Sequence, residues 1–251
     1  MANQLVKDLL RIGDGLGEDP TTWPHIPCPT CRRGALSLVD GSLVVETANT
    51  SKDQERVFGA DGIYGGFHCM LKCLKPTCDL VRVMGFMGVW EPGPTAGYQT
   101  MLTPTLFLPA LPLLEDTSLC PRNVLERVNA AAKILWLDPS SAANRLRSAT
   151  EALMDSQRIA FGKTLHARIE EFRKTEPAAA ELLLAVKWVG NAGSHGDVLG
   201  LGDVLDGVEI FDHALRLLYD TSSAEIVRKA AEISARKGLR VPDAYSARPP
   251  F

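Results

Sequence analysis

Two short cysteine pairs constrain the fold of this chain more strongly than any other feature of its sequence. The pairs are Cys28-Pro29-Thr30-Cys31 and Cys73-Leu74-Lys75-Pro76-Thr77-Cys78. Proline and threonine between the cysteines favour a turn in each pair. Two turns can bring four sulfur atoms to one point only if the chain between them folds back on itself. The pattern therefore predicts a first part that is rich in turns and closes on itself.

Four thiolates that converge in this way suit a tetrahedral divalent ion, and zinc is the metal that such sets of ligands favour. We predict that Cys28, Cys31, Cys73 and Cys78 bind one Zn²⁺ ion. Four protein ligands leave no open coordination position, so we expect a structural role and not hydrolysis.

Alternatives to this metal site remain open. The second spacing is wider than Cys-x-x-Cys, so the thiols could instead be unliganded core groups or redox-active groups. His68 and Cys69 are further candidates for a ligand, although each also fits an ordinary strand position. Cys120, directly before Pro121, is more typical of a packed thiol. Disulfides are the weaker interpretation because cytosolic thiols are kept reduced.

The composition of the chain changes near residue 121. Before it, glycine and proline recur and every cysteine occurs, whereas later segments are rich in Ala, Leu, Arg and Glu. We predict an α+β protein with a zinc-ribbon-like β module over 1–90, a Pro-rich connector over 91–121 and a helical bundle over 122–251. The connector is too apolar for a free linker and too rich in proline for a helix or a central strand. We expect it to be extended and packed against the helices.

Strand signals are concentrated in the first module. Residues 35–39 and 42–46 are apolar and flank an Asp-Gly dipeptide at 40–41, which is favoured in two-residue turns because both positions need a positive φ. This pattern predicts a hairpin. Alternation over 67–72 and an apolar run over 80–85 predict two further strands that bracket the second cysteine pair.

Helical periodicity dominates the second part of the chain. Apolar residues recur at helical spacing, and proline stands where two of the segments begin. We predict helices over residues 123–137, 142–159, 164–174, 178–189, 205–219 and 223–237.

The least ordinary helical stretch is residues 187–196, Lys-Trp-Val-Gly-Asn-Ala-Gly-Ser-His-Gly. Gly190 and Gly193 interrupt an apolar helix, at a cost of about 1 kcal/mol each that is tolerated where two backbones approach closely. Asn191 and His195 would share a face if the helix continued, because they are four residues apart. Alternatively, the helix ends here and both side chains bond to loop carbonyls.

These residues are similar to a known bacterial family, the domain of unknown function 4145, which is placed in the HEPN (higher eukaryote and prokaryote nucleotide-binding) superfamily. Residues 144–153, with Arg147 and Glu151, are similar to its Leu-Arg-x-x-x-Glu helix, and Gly190-Asn191 followed by His195 is similar to its Gly-Asn-x-x-x-His signature. The resemblance extends to the Cys-Pro-x-Cys module and the connector.

The resemblance implies a HEPN-like helical bundle, commonly a homodimer. The superfamily includes metal-independent ribonucleases and RNA-binding or scaffold members, many of them tied to defence against phage. Its active nucleases carry Arg-x4–6-His, whereas Gly190 stands five residues before His195 here. Arg145 or Arg147 from the neighbouring helix could supply the missing cation. Arg147 could equally form a structural ion pair with Glu151.

Two functions therefore compete. The first is a non-enzymatic binding or assembly module of a defence-related or nucleic-acid-associated system, with a protein or RNA as its partner. The second is a ribonuclease in which Asn191 and His195 act with Arg145 or Arg147, since an imidazole can transfer protons at neutral pH. The connector could also contact a protein partner.

Charge and hydropathy exclude some other classes. A net charge of −3 gives no long-range attraction for nucleic acid, so any such binding must be local. Arg228, Lys229 and Arg236 could contact phosphates from one helix face, although a solvated outer face is the commoner explanation. The sequence shows neither a membrane span nor a secretory signal, so we expect a cytoplasmic protein.

Overall fold

The computed structural model describes residues 3–32, 34–93, 97–118, 120–160, 162–193, 198–220 and 222–236. Within these residues, an antiparallel sheet occupies the first half of the chain and helices follow it. The mixed α+β class that the composition predicts is therefore confirmed.

The boundaries of the elements are as follows. The strands are β1 (Leu36–Leu38), β2 (Val44–Thr47), β3 (Tyr64–Cys73), β4 (Val81–Trp90) and β5 (Gln99–Leu108). The helices are α1 (Gln4–Gly13), α2 (Ser51–Phe58), α3 (Arg122–Ala132), α4 (Pro139–Ser156), α5 (Leu165–Phe172), α6 (Pro177–Ala192), α7 (Leu201–Tyr219) and α8 (Ser222–Ala235). Short 3-10 turns cover Pro20–Thr22 and Gly59–Gly62.

Strands β1 and β2 lie one after the other along the same edge of β3. β1 pairs with residues 71–73 and β2 with residues 65–68, both antiparallel. The predicted hairpin is therefore wrong, because the two strands pair with β3 and not with each other. Gly41 does adopt a positive φ of 70°, but the turn only forms a small loop between β1 and β2. Ser42 Oγ closes this loop by hydrogen bonds of 3.1 Å with the backbone N–H and carbonyl of Met70.

Strands β3, β4 and β5 form the long antiparallel part of the sheet. The predicted strands on either side of the second cysteine pair are confirmed as β3 and β4. β5 lies within the segment that we expected to be an extended connector, and it pairs with β4 instead of only packing on the helices. Proline is tolerated because β5 ends the strand order and because Pro104 lies at a bulge opposite Met84 and Gly85.

Each of the six helices predicted after residue 121 is present, with its ends shifted by a few residues. Asp138 caps α4 by accepting a hydrogen bond from the Ser141 N–H (2.9 Å), and Thr164 caps α5 in the same way from Ala167 (3.2 Å). α6 continues through Gly190 and ends at Ala192, so this glycine does not interrupt the helix.

The sheet and the helices share one hydrophobic core. Phe107 of β5 packs against Trp136, between α3 and α4, with ring centroids 5.0 Å apart. α1 contacts both β5 and α7, and its capping residue Asn3 donates a hydrogen bond to Asp212 of α7 (3.1 Å). The buried face of the sheet is thereby fixed on the helices, while alternate residues of β3 and β4 face solvent.

Candidate functional site

The first cysteine pair lies in a loop that its own backbone closes. The Arg32 N–H donates to the Cys28 carbonyl and the Cys28 N–H donates to the Gly34 carbonyl, both at 2.8 Å. Pro27 forms a bridge with Ala35, directly before β1. These bonds hold Cys28 buried and Cys31 half-buried on the same side of the loop.

The second cysteine pair closes the connection between β3 and β4. Cys73 is the last residue of β3, and Cys78 stands three residues before β4 begins. The Lys75 N–H points at Cys73 Sγ (3.4 Å), and the Cys78 N–H donates to the Lys75 carbonyl (3.1 Å). Leu36 of β1 pairs with Cys73, so the sheet itself brings the two cysteine pairs together.

The four predicted metal ligands meet in space. The Sγ atoms of Cys28, Cys31, Cys73 and Cys78 all lie within 4.8 Å of one another. Cys31 Sγ and Cys73 Sγ are 3.8 Å apart, far beyond the roughly 2.05 Å of a disulfide bond. A tetrahedron with metal–sulfur bonds of about 2.3 Å has sulfur–sulfur edges of about 3.8 Å. The cluster therefore could hold one tetrahedral metal ion.

The four sulfur atoms alter one another's ionisation. Burial, together with the neighbouring thiols Cys31, Cys73 and Cys28, raises the pKa of Cys78 to about 12. The Lys75 N–H lowers the pKa of Cys73, but burial and the thiols of Cys28 and Cys31 outweigh it, so that this pKa is raised as well. Crowded sulfur atoms thus resist ionisation when they are alone, and a divalent ion would reverse that balance.

Gly34 completes the cradle around the sulfur atoms, and the sequence interpretation missed it. A Cβ atom at this position would lie 2.6 Å from Cys73 Sγ and 3.2 Å from Cys31 Sγ. The space around the cluster therefore has no room for a side chain here. The available signal was the glycine six residues after Cys28 in Cys-Pro-Thr-Cys-Arg-Arg-Gly.

The spare ligand candidates lie away from the cluster. Cys69 is buried on the inner face of β3, where burial raises its pKa to about 11, and His68 is exposed on the opposite face. Burial likewise raises the pKa of Cys120 to about 11, and its thiol contacts the Pro121 carbonyl (3.7 Å). Among the described residues, neither Cys69 nor His68 belongs to the group that could hold a metal.

The helical motif is only partly assembled by the described residues. Arg147 forms an ion pair with Glu151 one turn later in α4 (3.1 Å). Its Nε atom is buried and has no hydrogen-bond partner among the described residues. Arg145 is exposed on α4, and Asn191 is half-buried near the end of α6. His195 lies outside the described residues.

Gly190 marks the closest approach of α6 to α4. A Cβ atom at Gly190 would lie 2.4 Å from the Cβ atom of Arg147 and 3.0 Å from the Ala143 carbonyl. One turn of α4 earlier, a Cβ atom at Gly193 would lie 2.5 Å from the Ser140 carbonyl. The two glycines therefore serve helix packing, and Arg147 lies beneath this crossing.

The basic residues predicted to contact phosphates lie on α8. Arg228, Lys229 and Arg236 are exposed, and Arg228 forms an ion pair with Glu232 in the next turn. The pair partly neutralises this end of the helix, as expected for an ordinary solvated face.

The fold and the cysteine cluster thus define a mixed α+β protein with a candidate metal centre at one end of its sheet. The family model of a domain of unknown function (DUF4145) matches residues 129–236, which span most of the helices after the sheet. A second family model, also of a domain of unknown function (DUF8608), matches residues 19–107, which include the cysteine cluster and the strands. No curated protein and no solved structure matches the chain. Within the described residues, each helix is too short or too polar to span a bilayer.

Proposed function

We propose that this chain is a non-catalytic binding module in which a structural zinc ion stabilises a zinc-ribbon-like β part beside a HEPN-like helical bundle. The biological setting that we infer, from the family resemblance, is a defence-related or nucleic-acid-associated system in the cytoplasm. The observation that carries the proposal is the position of Arg147. Its guanidinium pairs with Glu151 and its stem is packed beneath Gly190, so it is poorly placed to hold a phosphate.

Zinc is the metal proposed because every ligand in the cluster is a thiolate. Soft sulfur ligands in a tetrahedron select zinc over the harder magnesium and calcium ions. When bound, the ion would supply folding energy by linking the loop of Cys28 and Cys31 to the end of the β3–β4 connection. Gly34 and the Lys75 N–H then act on the sulfur atoms, the first by leaving space and the second by donating a hydrogen bond.

Elemental analysis tests the metal. We expect about one zinc per chain in the purified protein. Cys31→Ser should lose the ion, whereas Cys120→Ser, also at a half-buried cysteine but outside the cluster, should retain it. A metal-free protein with an unchanged melting temperature, or a Cys31→Ser variant with full zinc content, would contradict this part of the proposal.

A cleavage assay tests the absence of catalysis. Zinc-replete wild-type protein and His195→Ala are incubated with mixed single-stranded RNA without added magnesium, because HEPN-type cleavage needs no metal and a chelator would remove the proposed structural zinc. We expect equal background degradation in both samples. Cleavage that disappears in His195→Ala would instead support the ribonuclease in which Asn191 and His195 act with Arg145 or Arg147.

We also propose that the chain forms a homodimer. The support is α8, where every described side chain from residue 225 to residue 236 is exposed. Ile226, Ala230 and Ile233 recur at helical spacing on this helix. An apolar stripe of this kind is typical of a helix that packs against another helix.

A further inference from the structure

A groove crosses the solvent-facing side of the sheet, on the face opposite the core. We call it the outer sheet groove; Gly66 forms its floor, and its walls include Val44, Tyr64, His68, Met84 and Phe86. The strand register explains this set: Phe86 of β4 lies directly opposite Gly66, and Met84 lies opposite His68. Paired residues in neighbouring strands point to the same face of a sheet. The walls therefore surround a position that has no side chain.

The glycine floor is not required by the fold. A Cβ atom at Gly66 would meet only the Gly85 carbonyl, at an ordinary contact distance of 3.6 Å, and the residue has no positive φ. Glycine within a strand weakens it, and a bare backbone often marks the place where a ligand approaches. Gly66 thus leaves a flat, accessible strip of backbone between aromatic side chains.

Part of the groove wall is apolar and open to solvent, beside polar residues such as Thr47 and His68. Phe86 is 67% exposed, and Tyr64 and Met84 are exposed beside it. Neighbouring strands of a sheet that faces water usually carry polar residues on that side. An exposed aromatic ring next to a flat floor offers a surface on which a planar ring can stack.

Cations lie on the same face, at the end nearer the cysteine cluster. Lys72 of β3 and Arg82 of β4 are both exposed there. Arg82 is four residues from Phe86 along β4, a separation of about 13 Å. Across β3 from Phe86, Glu46 lies directly opposite Gly66 and lines the groove, where its carboxylate can accept a hydrogen bond from an amino group.

We propose that the outer sheet groove binds single-stranded nucleic acid. A base stacks against Phe86 and Tyr64 above Gly66, while the backbone phosphates run toward Arg82 and Lys72. A polyanion with planar bases matches both ends of this face, whereas an apolar peptide would use only the aromatic end. Unpaired bases are needed because the bases of a duplex are already stacked. The inference rests on the proposed binding function and names its ligand.

Single-stranded DNA separates this inference from the question of catalysis, because DNA lacks the 2′-hydroxyl that a HEPN-type ribonuclease uses. The affinity of zinc-replete protein for a fluorescein-labelled 12-nucleotide DNA of mixed sequence is measured by anisotropy, with the matching duplex as comparison. We expect tighter binding of the single strand. Phe86→Ala should weaken it by about 5- to 150-fold, which corresponds to the loss of one stacked base. Arg82→Gln should lower the slope of log affinity against log salt by about 0.7.

Two further variants distinguish a specific loss of binding from unfolding of the protein. Phe58→Ala removes a ring of similar exposure, 60%, that does not line the groove, and it should bind like the wild type. Gly66→Val fills the floor with a residue that favours strands, so it should reduce binding without lowering the melting temperature.

The inference is overturned if the wild type does not prefer the single strand, or if Phe86→Ala and Gly66→Val bind as the wild type does. It is also overturned if Phe86→Ala converts a sedimenting dimer into a monomer without weakening DNA binding, because the groove would then hold a second copy of the chain. None of these outcomes bears on whether RNA is cleaved, which the His195→Ala comparison decides separately.

Discussion

Substituting alanine for Gly34 tests the metal centre through geometry alone, because no ligand is removed. The added Cβ atom would stand 2.6 Å from Cys73 Sγ and 3.2 Å from Cys31 Sγ. The first distance is about 1 Å shorter than the optimal separation of non-bonded heavy atoms. Metal–ligand distances tolerate changes of only about 0.2 Å. Cys73 cannot move away by the required amount and still bind, so the metal affinity should fall.

The expected fall is about 10- to 100-fold, the usual cost of disturbing the groups behind metal ligands. A competition titration against a chromophoric chelator measures it. Gly88→Ala is the matched control: the position is also in the sheet module, but a Cβ atom there meets nothing within 4 Å. If Gly34→Ala retains zinc as tightly as Gly88→Ala, the four sulfur atoms do not surround the ion as the geometry indicates.

Three other expectations follow from the helices. Gly190→Ala places a methyl group against Arg147. The free energy of unfolding, measured in urea, should therefore fall by about 1–3 kcal/mol, although alanine has the better helix propensity. A more stable variant would disprove the close approach of α6 to α4. Ile226→Asp puts a charge on the apolar stripe of α8, so we expect it to sediment as a monomer if the wild type forms the proposed homodimer. A dimer that persists in the variant would exclude α8 from the interface. Asp138→Ala removes the cap of α4. Hydrogen bonds from Ser141 hold the pKa of the Asp138 carboxyl below its ordinary value of 3.8. The ionised cap therefore stabilises the fold above pH 3.8. The difference in melting temperature between wild type and variant should disappear as the pH falls through the folded-state pKa.

Helices were the easiest part of this fold to predict from sequence. Their apolar residues recur within one turn, and the proline and capping residues stand beside them in the chain, as at Asp138-Pro139. The information that defines α3 to α8 is therefore local. The ends of the helices are harder to predict, because the sequence alone suggests that Gly190 breaks the helix. Its contact with Arg147 of α4 shows instead that it allows the two helices to pack closely.

Strand pairing was harder because it depends on residues far apart in sequence. The Asp-Gly dipeptide at 40–41 predicts a hairpin turn with a positive φ at both positions, but only Gly41 adopts one. β3 also offers a longer partner than either short strand offers the other. Proline likewise argued against a strand at β5, and only the bulge at Pro104 shows how the chain accommodates it. Local signals cannot reveal either outcome, since both are decided by the neighbouring strand.

The four cysteines of the candidate metal centre could be predicted from the sequence because cysteine spacing is local within each pair. Their effect on the register of β3 and β4 could not. Cys73 and Cys78 close the connection between β3 and β4, so an ion bound at their sulfur atoms would hold the two strands where they begin to pair. A slip of one residue would move Phe86 from the outer face to the inner face and remove it from opposite Gly66. By holding this register, a bound ion would also help to determine which side chains the outer sheet groove presents.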